Sequence, residues 1–340
     1  MNTTTTSTRA RAPAEWTLRP PYGSRSVMVA VVIALVLWFT GQRVEMGRML
    51  SLSGEAVLVA VGLREQSQVS LGLAQLGRSL FPLVIAERTQ TTRIEGFDRE
   101  HLPFGSHLEM EDVREPRMNP QTLTMEDRVE RIEVLVEPFG YLTHVLVKML
   151  ETLEIALWGT LLAALMSVPL AFYSASNYTP NALTYNLARV LVSLLRAMPE
   201  LISALFLVLA YGFGPIAGVL ALALHGAGFL GKFYAEDIEN ADAGPQEALR
   251  AIGAGRLAVL RHAVLPQVMP KYIAYTLYIL DRNVRMATVV GLVGAGGIGQ
   301  ELKGRYDMYH YSHVATILVI IFITVFLLDR LAAALRARNA

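Results

Sequence analysis

Long apolar runs separated by short polar breaks organise this chain. Residues 27–39 are apolar, and the run widens to about 19 residues between Gly23 and Gly41, close to the ~20 that a helix needs to cross a bilayer. A second run covers residues 152–173, with Pro169 near its inner end. Residues 183–211 exceed one span and predict an interfacial helix that turns into the membrane near Pro199. Arg196 and Glu200 flank that proline at a spacing that lets them pair. The turn Gly212-Phe213-Gly214-Pro215 opens a fourth run that reaches Phe233. A fifth starts near Lys271, and a sixth covers residues 313–335. The pattern predicts an all-α integral membrane protein with about six transmembrane helices.

Composition agrees. The 340 residues are 53% hydrophobic and 17% charged, against about 25% charged in soluble domains. A net charge of +1 makes no case for nucleic acid. The absence of cysteine excludes disulfides and thiolate chemistry. Residues 1–26 read as a basic cytoplasmic tail, with Arg9, Arg11, Arg19 and Arg25 against Glu15, so residues 27–41 become the first transmembrane helix. Thr40-Gly41-Gln42-Arg43 lacks a small-x-small cleavage pattern, which favours an uncleaved span. Basic residues at both ends and an even span count put both termini, and the break at 244–266, inside. Residues 42–140 form an interfacial and extracytoplasmic insertion. Within it, 54–63 and 69–86 read as amphipathic helices. From residue 87 to 137 the composition changes to mixed charges, with Pro103, Pro116, Pro120 and Pro138 as punctuation, and the stretch between His101 and His107 reads as loop in preference to a metal site. His101 and His107 have no metal-ligand spacing.

Two stretches carry the functional signal. Residues 244–266 read as a short helix, a glycine bend at Gly253-Ala254-Gly255, and a second short helix ended by Pro266. Ala248 and Gly253 permit close approach, Leu249 and Ile252 supply an apolar stripe, and Arg250, Arg256, Arg261 and His262 keep the segment in water. Such a helix suits docking on a soluble partner. The fifth span contains Asp281-Arg282-Asn283-Val284-Arg285. A charge at mid-bilayer costs roughly 2.5–3.5 kcal/mol on insertion scales, so these residues face a partner or a watery path. Arginine forks match phosphate-like oxygens, which makes Arg285, Asn283, Arg196 and Arg282 candidates for an anion pathway. An internal Asp281–Arg285 pair that merely holds helices together is the competing reading. Gly294, Gly296 and Gly299 satisfy G-x-G-x-x-G, but a dinucleotide fold is rejected because the motif follows a charged membrane helix. Gly294, Gly296, Gly297 and Gly299 read instead as a flexible extracytoplasmic hairpin, or as a packing run of small residues.

The 244–266 spacing of Glu247-Ala248-Leu249, Gly253 and Leu265-Pro266 resembles the EAA loop of ABC importer permeases. Asp281-x-Asn283-x-Arg285, the glycine run, Glu151-Thr152-Leu153-Glu154, Pro169-Leu170-Ala171 and Arg196-Ala197-Met198-Pro199-Glu200-Leu201 resemble the phosphonate/phosphite importer permeases over roughly residues 145–335. Leu249, Ala263, Arg282 and the insertion after Phe81-Pro82 depart from that pattern. The resemblance implies a MetI-like ABC permease core in the bacterial inner membrane, importing a small phosphorus oxyanion by alternating access. It implies an ABC ATPase dimer that meets the EAA-like loop, an extracytoplasmic substrate-binding protein that meets the glycine run, and a second permease subunit, identical or paralogous, in membrane lipid. No catalytic residue, metal or cofactor is expected in this chain; ATP and Mg belong to the ATPase, and the chain lacks a G-x-x-x-x-G-K-[ST] loop. A permease for methionine or a quaternary amine is the alternative, with Tyr272, Tyr275 and Tyr278 as an aromatic stripe. A membrane enzyme acting on phospholipid or phosphonate is disfavoured, since no triad or metal spacing occurs.

Overall fold

The computed structural model describes residues 24–63, 65–118 and 125–339. The tail expected over 1–26 falls, up to residue 23, outside the described residues. Backbone packing divides the chain after Gly77. The first unit holds α1 (Ser24–Arg43), α2 (Met46–Ala60) and the start of α3 (Gln68–Leu80). From Val27 to Phe39 the side chains of α1 are all exposed, as suits a helix whose solvent is lipid. Ser67 and Ser70 cap the start of α3 reciprocally, each backbone N–H donating to the other's hydroxyl.

The second unit begins with the end of α3 and a three-stranded antiparallel sheet of β1 (Glu87–Gln90), β2 (His107–Met118) and β3 (Met125–Glu137), in the order β1-β3-β2. The stretch between His101 and His107 is loop, as read, while the mixed-charge residues on either side of it form strands. Pro116 sits in β2 opposite Asp127, and β2 has only one strand neighbour, so its missing N–H can point away from the ladder. Val134, Leu135 and Val136 are buried, which fixes the end of β3 beside the helices.

The core follows as α4 (Gly140–Ser174), α5 (Ala182–Ala197), α6 (Glu200–Tyr211), α7 (Pro215–Glu239), α8 (Ala243–Ala251), α9 (Arg256–Val259), α10 (Leu265–Gly291), α11 (Gly297–Asp307) and α12 (Tyr311–Asn339). Among the described residues α1, α4, α7 and α12 are long and apolar enough to cross a membrane. The pair α5 and α6, bent by 92° at Met198-Pro199, adds a fifth, as the proline predicts. α10 carries too much charge to score as apolar, yet its 27 residues pack against α4 and α7, consistent with a count of about six. Asn283 is buried and donates to Thr160 Oγ1 of α4 at 2.9 Å. That bond bridges two helices across the apolar interior.

Small residues set the closest approaches. Gly226 of α7 would place a Cβ 2.8 Å from Ala163, and Gly228 one 2.9 Å from the Arg196 backbone nitrogen. The tightest is Gly299, where a Cβ would lie 2.0 Å from the Thr288 carbonyl oxygen. Gly299→Ala is expected to cost about 3 kcal/mol or more through overpacking against backbone. The check is thermal unfolding in detergent, with Gly304→Ala, where a Cβ meets nothing within 4 Å, as the neutral comparison.

Candidate functional site

α7 and α10 place a charged cluster near the middle of the bilayer. His225 is ten residues from the outer end of α7, and Arg282 is nine from the outer end of α10, so each lies about 15 Å deep at 1.5 Å per residue. That is half of a hydrocarbon core of about 30 Å. Glu200, the first residue of α6, meets both at the helix bend. Its Oε1 is 2.9 Å from His225 Nε2 and forms a short ion pair with Arg282 Nη2. Arg282 Nη2 is also 2.8 Å from His225 Nε2. His225 Nδ1 lies 3.0 Å from the Met198 carbonyl, which can only accept, so Nδ1 carries the hydrogen. Arg282 Nη2 thus lies within hydrogen-bond distance of both His225 Nε2 and Glu200 Oε1.

Arg196 completes the cluster. Its guanidinium lies 5.4 Å from the Phe229 ring centre, and that of Arg282 lies 4.8 Å from the same ring. Two cations thus share one aromatic ring. Glu200 takes Arg282 and His225, not Arg196, contrary to the pairing expected from spacing; the bend at Pro199 breaks the helical register that would have brought 196 and 200 together. Among the described residues no ion pair involves Arg196. Two arginines thus face one carboxylate, an arrangement suited to an anion.

The structure places the other candidates elsewhere. Arg285 pairs with Asp281 of its own helix at 2.7 and 3.2 Å and borders a groove with Leu318 and Phe322 of α12. Asn283 is spent on Thr160. Tyr272 stacks on Tyr234 at 3.8 Å and Tyr275 lies against Phe233 at 5.2 Å, so these two tyrosines pack on α7 and form no open cage. Sequence reasoning missed His225 and Phe229. A lone histidine in an otherwise apolar run was the available signal, since intramembrane ionisable groups are functional by default.

The glycine run is not a flexible exposed hairpin. Gly294, Gly296, Gly297 and Gly299 are all buried. Positive φ at Gly294, Gly296 and Gly297 turns the chain sharply from α10 into α11. Glu151 Oε1 accepts from Gly297 N at 3.1 Å, and Thr152 Oγ1 accepts from Ile298 N at 2.8 Å, so α4 caps the start of α11 with a carboxylate and a hydroxyl.

At the opposite end, α8 stops in a Schellman turn. Gly253 has φ +85°, its N–H donates to the Arg250 carbonyl, and Ala254 N–H donates to that of Leu249. Glu247, Ala248, Arg250 and Gly253 are exposed, as are Ile252 (80%) and Leu257 (76%). Buried Gln246 anchors the other face to the carbonyls of Ala241 and Asp242. Pro266 does not end the second short helix. A π-helical turn over residues 260–264 joins α9 to α10, with Leu265 N–H reaching back to Leu260, and Pro266 falls in the first turn of α10, where no N–H is needed.

Outside the spans, Glu301 of α11 accepts from Arg305 Nε at 2.7 Å and lies 3.5 Å from His144 Nε2. Burial pushes its carboxyl up, but the Arg305 hydrogen bond and charge, helped by His144, outweigh burial and hold it below the ordinary carboxylate range. A lowered folded-state value means stability that is fully present above the unfolded value near 4.5 and is lost as pH falls through the folded one. The melting temperature should hold from neutral pH to about 5 and fall below about 4. In Glu301→Gln that fall should be shallower.

The family model for the binding-protein-dependent transport system inner membrane component matches residues 167–340. A protein of Stutzerimonas stutzeri assigned to phosphite transport as permease HtxE is 58% identical over 259 residues, 76% of this chain and 99% of its own length. The phosphite transport system permease protein PtxC of the same organism is 46% identical over 188 residues, 55% of this chain and 68% of its own. Among solved structures, the inward-facing MetNI methionine ABC transporter matches with a TM-score of 0.51 and 22% identity, covering 58% of this chain and 96% of that chain. That likeness shows the MetI-like permease fold.

Proposed function

This chain belongs to the family of binding-protein-dependent transport inner membrane components, and from that premise we propose that it forms the path of an importer for a small phosphorus oxyanion. It is a multi-pass inner-membrane permease subunit of an ABC importer, a transport component and not an enzyme. As a binding-protein-dependent permease it works with ABC ATPase subunits and a substrate-binding protein. The finer reading concerns the cargo, the path and the coupling.

One observation carries the oxyanion: Arg196 and Arg282 converge on Phe229 at mid-membrane, and among the described residues Glu200 pairs with Arg282 while Arg196 has no ion pair. Guanidinium forks bind planar sets of oxygens, and the low dielectric there strengthens the attraction. A second permease copy would present the same cluster across the path. The cluster lies where α5 breaks into α6, and broken helices at mid-membrane are where transporters place their sites. Alternating access would move the two halves about this point. ATP-driven motion would enter at the exposed face of α8, through Glu247, Ala248 and Ile252, with Leu249, Gly253, Leu265 and Pro266 setting its geometry. The buried turn at residues 294–299 would shape the outer end instead of offering a surface.

The test is ATP-dependent uptake of labelled phosphite into vesicles that hold the assembled transporter, with methylphosphonate, sulfate or methionine in excess. Competition by methylphosphonate alone is the expected result. Competition by methionine alone would retain the permease and discard the cargo.

A further inference from the structure

The outer face holds a cavity of about 750 Å³. It lies between the sheet and the outer ends of α4, α11 and α12. α10 leaves the 244–266 break at Leu265 and ends at Gly291, so the starts of α4, α11 and α12 lie at the end opposite the ATPase-facing loop. The sheet contributes Arg88, His107 and Glu109, and the helices contribute Tyr141, Arg305 and His313.

Its two walls differ. The core wall is closely packed and hydrogen-bonded. Tyr141 is buried, with Arg305 lying 5.1 Å from its ring centre and His313 packed edge-on at 4.6 Å. Thr316 Oγ1 donates to the Val84 carbonyl and Leu142 N–H to that of Ile85, which ties the strand leading into β1 to the helices. The sheet wall is adaptable. Arg88 lies 3.6 Å from Glu109 and 3.8 Å from Glu111, and all three side chains are about half exposed. Such pairs exchange partners at little cost, so Arg88 is available to a carboxylate brought from outside. Hydrogen-bond donors outnumber the two lining carboxylates, Glu87 and Glu109. The volume is of the size that takes a drug-sized group or several side chains, far larger than a small oxyanion.

We infer that this cavity is the docking seat for the transporter's extracytoplasmic binding protein, which enters it with a surface loop bearing carboxylates. The inference rests on the importer reading above. The family is binding-protein-dependent, and this cavity opens on the face such a partner reaches. The sheet lies in the part of the chain that precedes the family-model match, and the methionine permease is matched almost end to end by 58% of this chain. A match of 259 residues on a chain of 340 must take in residues 82–259, so the 58% identical relative shares the sheet segment. An addition of this kind, placed on the outer face and lined by donors, suits recognition of one particular partner.

The chain has no cysteine, so single cysteines report without background. Arg88→Cys and Glu109→Cys, each carrying a benzophenone, are placed in the assembled transporter in liposomes with its own binding protein. Phe213→Cys, at the exposed turn between α6 and α7 on the same face, is the comparison. Both cavity positions are expected to crosslink to the binding protein. Arg88→Glu is expected to raise the binding-protein concentration for half-maximal ATPase stimulation about tenfold, as loss of interface charge complementarity does. Crosslinking from Phe213→Cys with none from positions 88 and 109 would overturn the docking seat and leave the importer intact. Silence at all three positions would overturn the partner and the seat together.

Discussion

Arg282→Ala is expected to lower ATP-driven phosphite uptake at least about a hundredfold, since it removes a desolvated charge contact of the kind worth 2–5 kcal/mol. It also leaves Glu200 buried at mid-membrane without its cation, a state that costs about 3–5 kcal/mol of stability. The two effects must be separated, and the geometry supplies the means. Glu200→Gln with Arg282→Gln removes both charges together, which for a buried pair is often close to neutral. That double variant should melt near the parent temperature and still fail in uptake. Arg285→Ala gives the contrast. Its partner Asp281 sits one turn away on the same helix and the pair borders the α12 groove away from Phe229, so uptake per folded transporter should stay within about threefold, while loss of the cation beside the mostly buried Asp281 carboxylate lowers the melting temperature. Equal losses from Arg282→Ala and Arg285→Ala would move the path to the α10–α12 side. Normal uptake by the double variant would remove Arg282 from it.

Glu247→Arg is the second large effect. Glu247 is exposed on α8 beside Ala248, with Ile252 one turn on. Reversing a charge at the centre of a docking face costs several kcal/mol through like-charge juxtaposition, enough for about a hundredfold loss of ATP-driven uptake. The ATPase subunit should no longer co-purify, while the permease itself keeps its melting temperature, because Glu247 makes no ion pair among the described residues. Gly253→Val should act differently. A Cβ there would meet nothing within 4 Å, but φ is +85°, so the substitution strains the Schellman turn and reorients α8. ATPase would then remain bound with hydrolysis poorly coupled to uptake. Intact uptake in Glu247→Arg would discard the coupling role of this loop.

Several of these features were legible in the sequence for identifiable reasons. Most of the span order follows from length and apolarity, because lipid forces every buried backbone group into a helix, while the charged α10 had to be placed by its length and position. The bend between α5 and α6 was legible because proline denies its predecessor the helical conformation. The Gly253 turn was legible because a left-handed position after a helix is most easily filled by glycine. The sheet was not. Its strands carry charges on both faces and Pro116 within β2, and no period-2 alternation stands out. The glycine run was read in two ways because the same small residues serve a flexible turn and a tight packing contact. Only the approach of Phe213, Thr152 and the Thr288 carbonyl decides for packing.

The site shows the same limit. Arg282 and Arg285 lie about 60° apart around a helix of 3.6 residues per turn, so spacing assigns them to one face. In the structure that rotation suffices to aim one into the bundle at Glu200 and His225 and the other toward α12. By itself the sequence determined that this chain is a helical membrane protein with a polar break at 244–266, and that charge must be accommodated within its fifth span. Those are properties of local pattern and of the solvent. The tertiary structure decided which arginine meets the carboxylate 82 positions away, that Arg196 has no ion pair among the described residues, and that the ends of the three strands line a cavity on the outer face. Each of these depends on how separate helices rotate and approach one another, a choice made by packing many small residues at once.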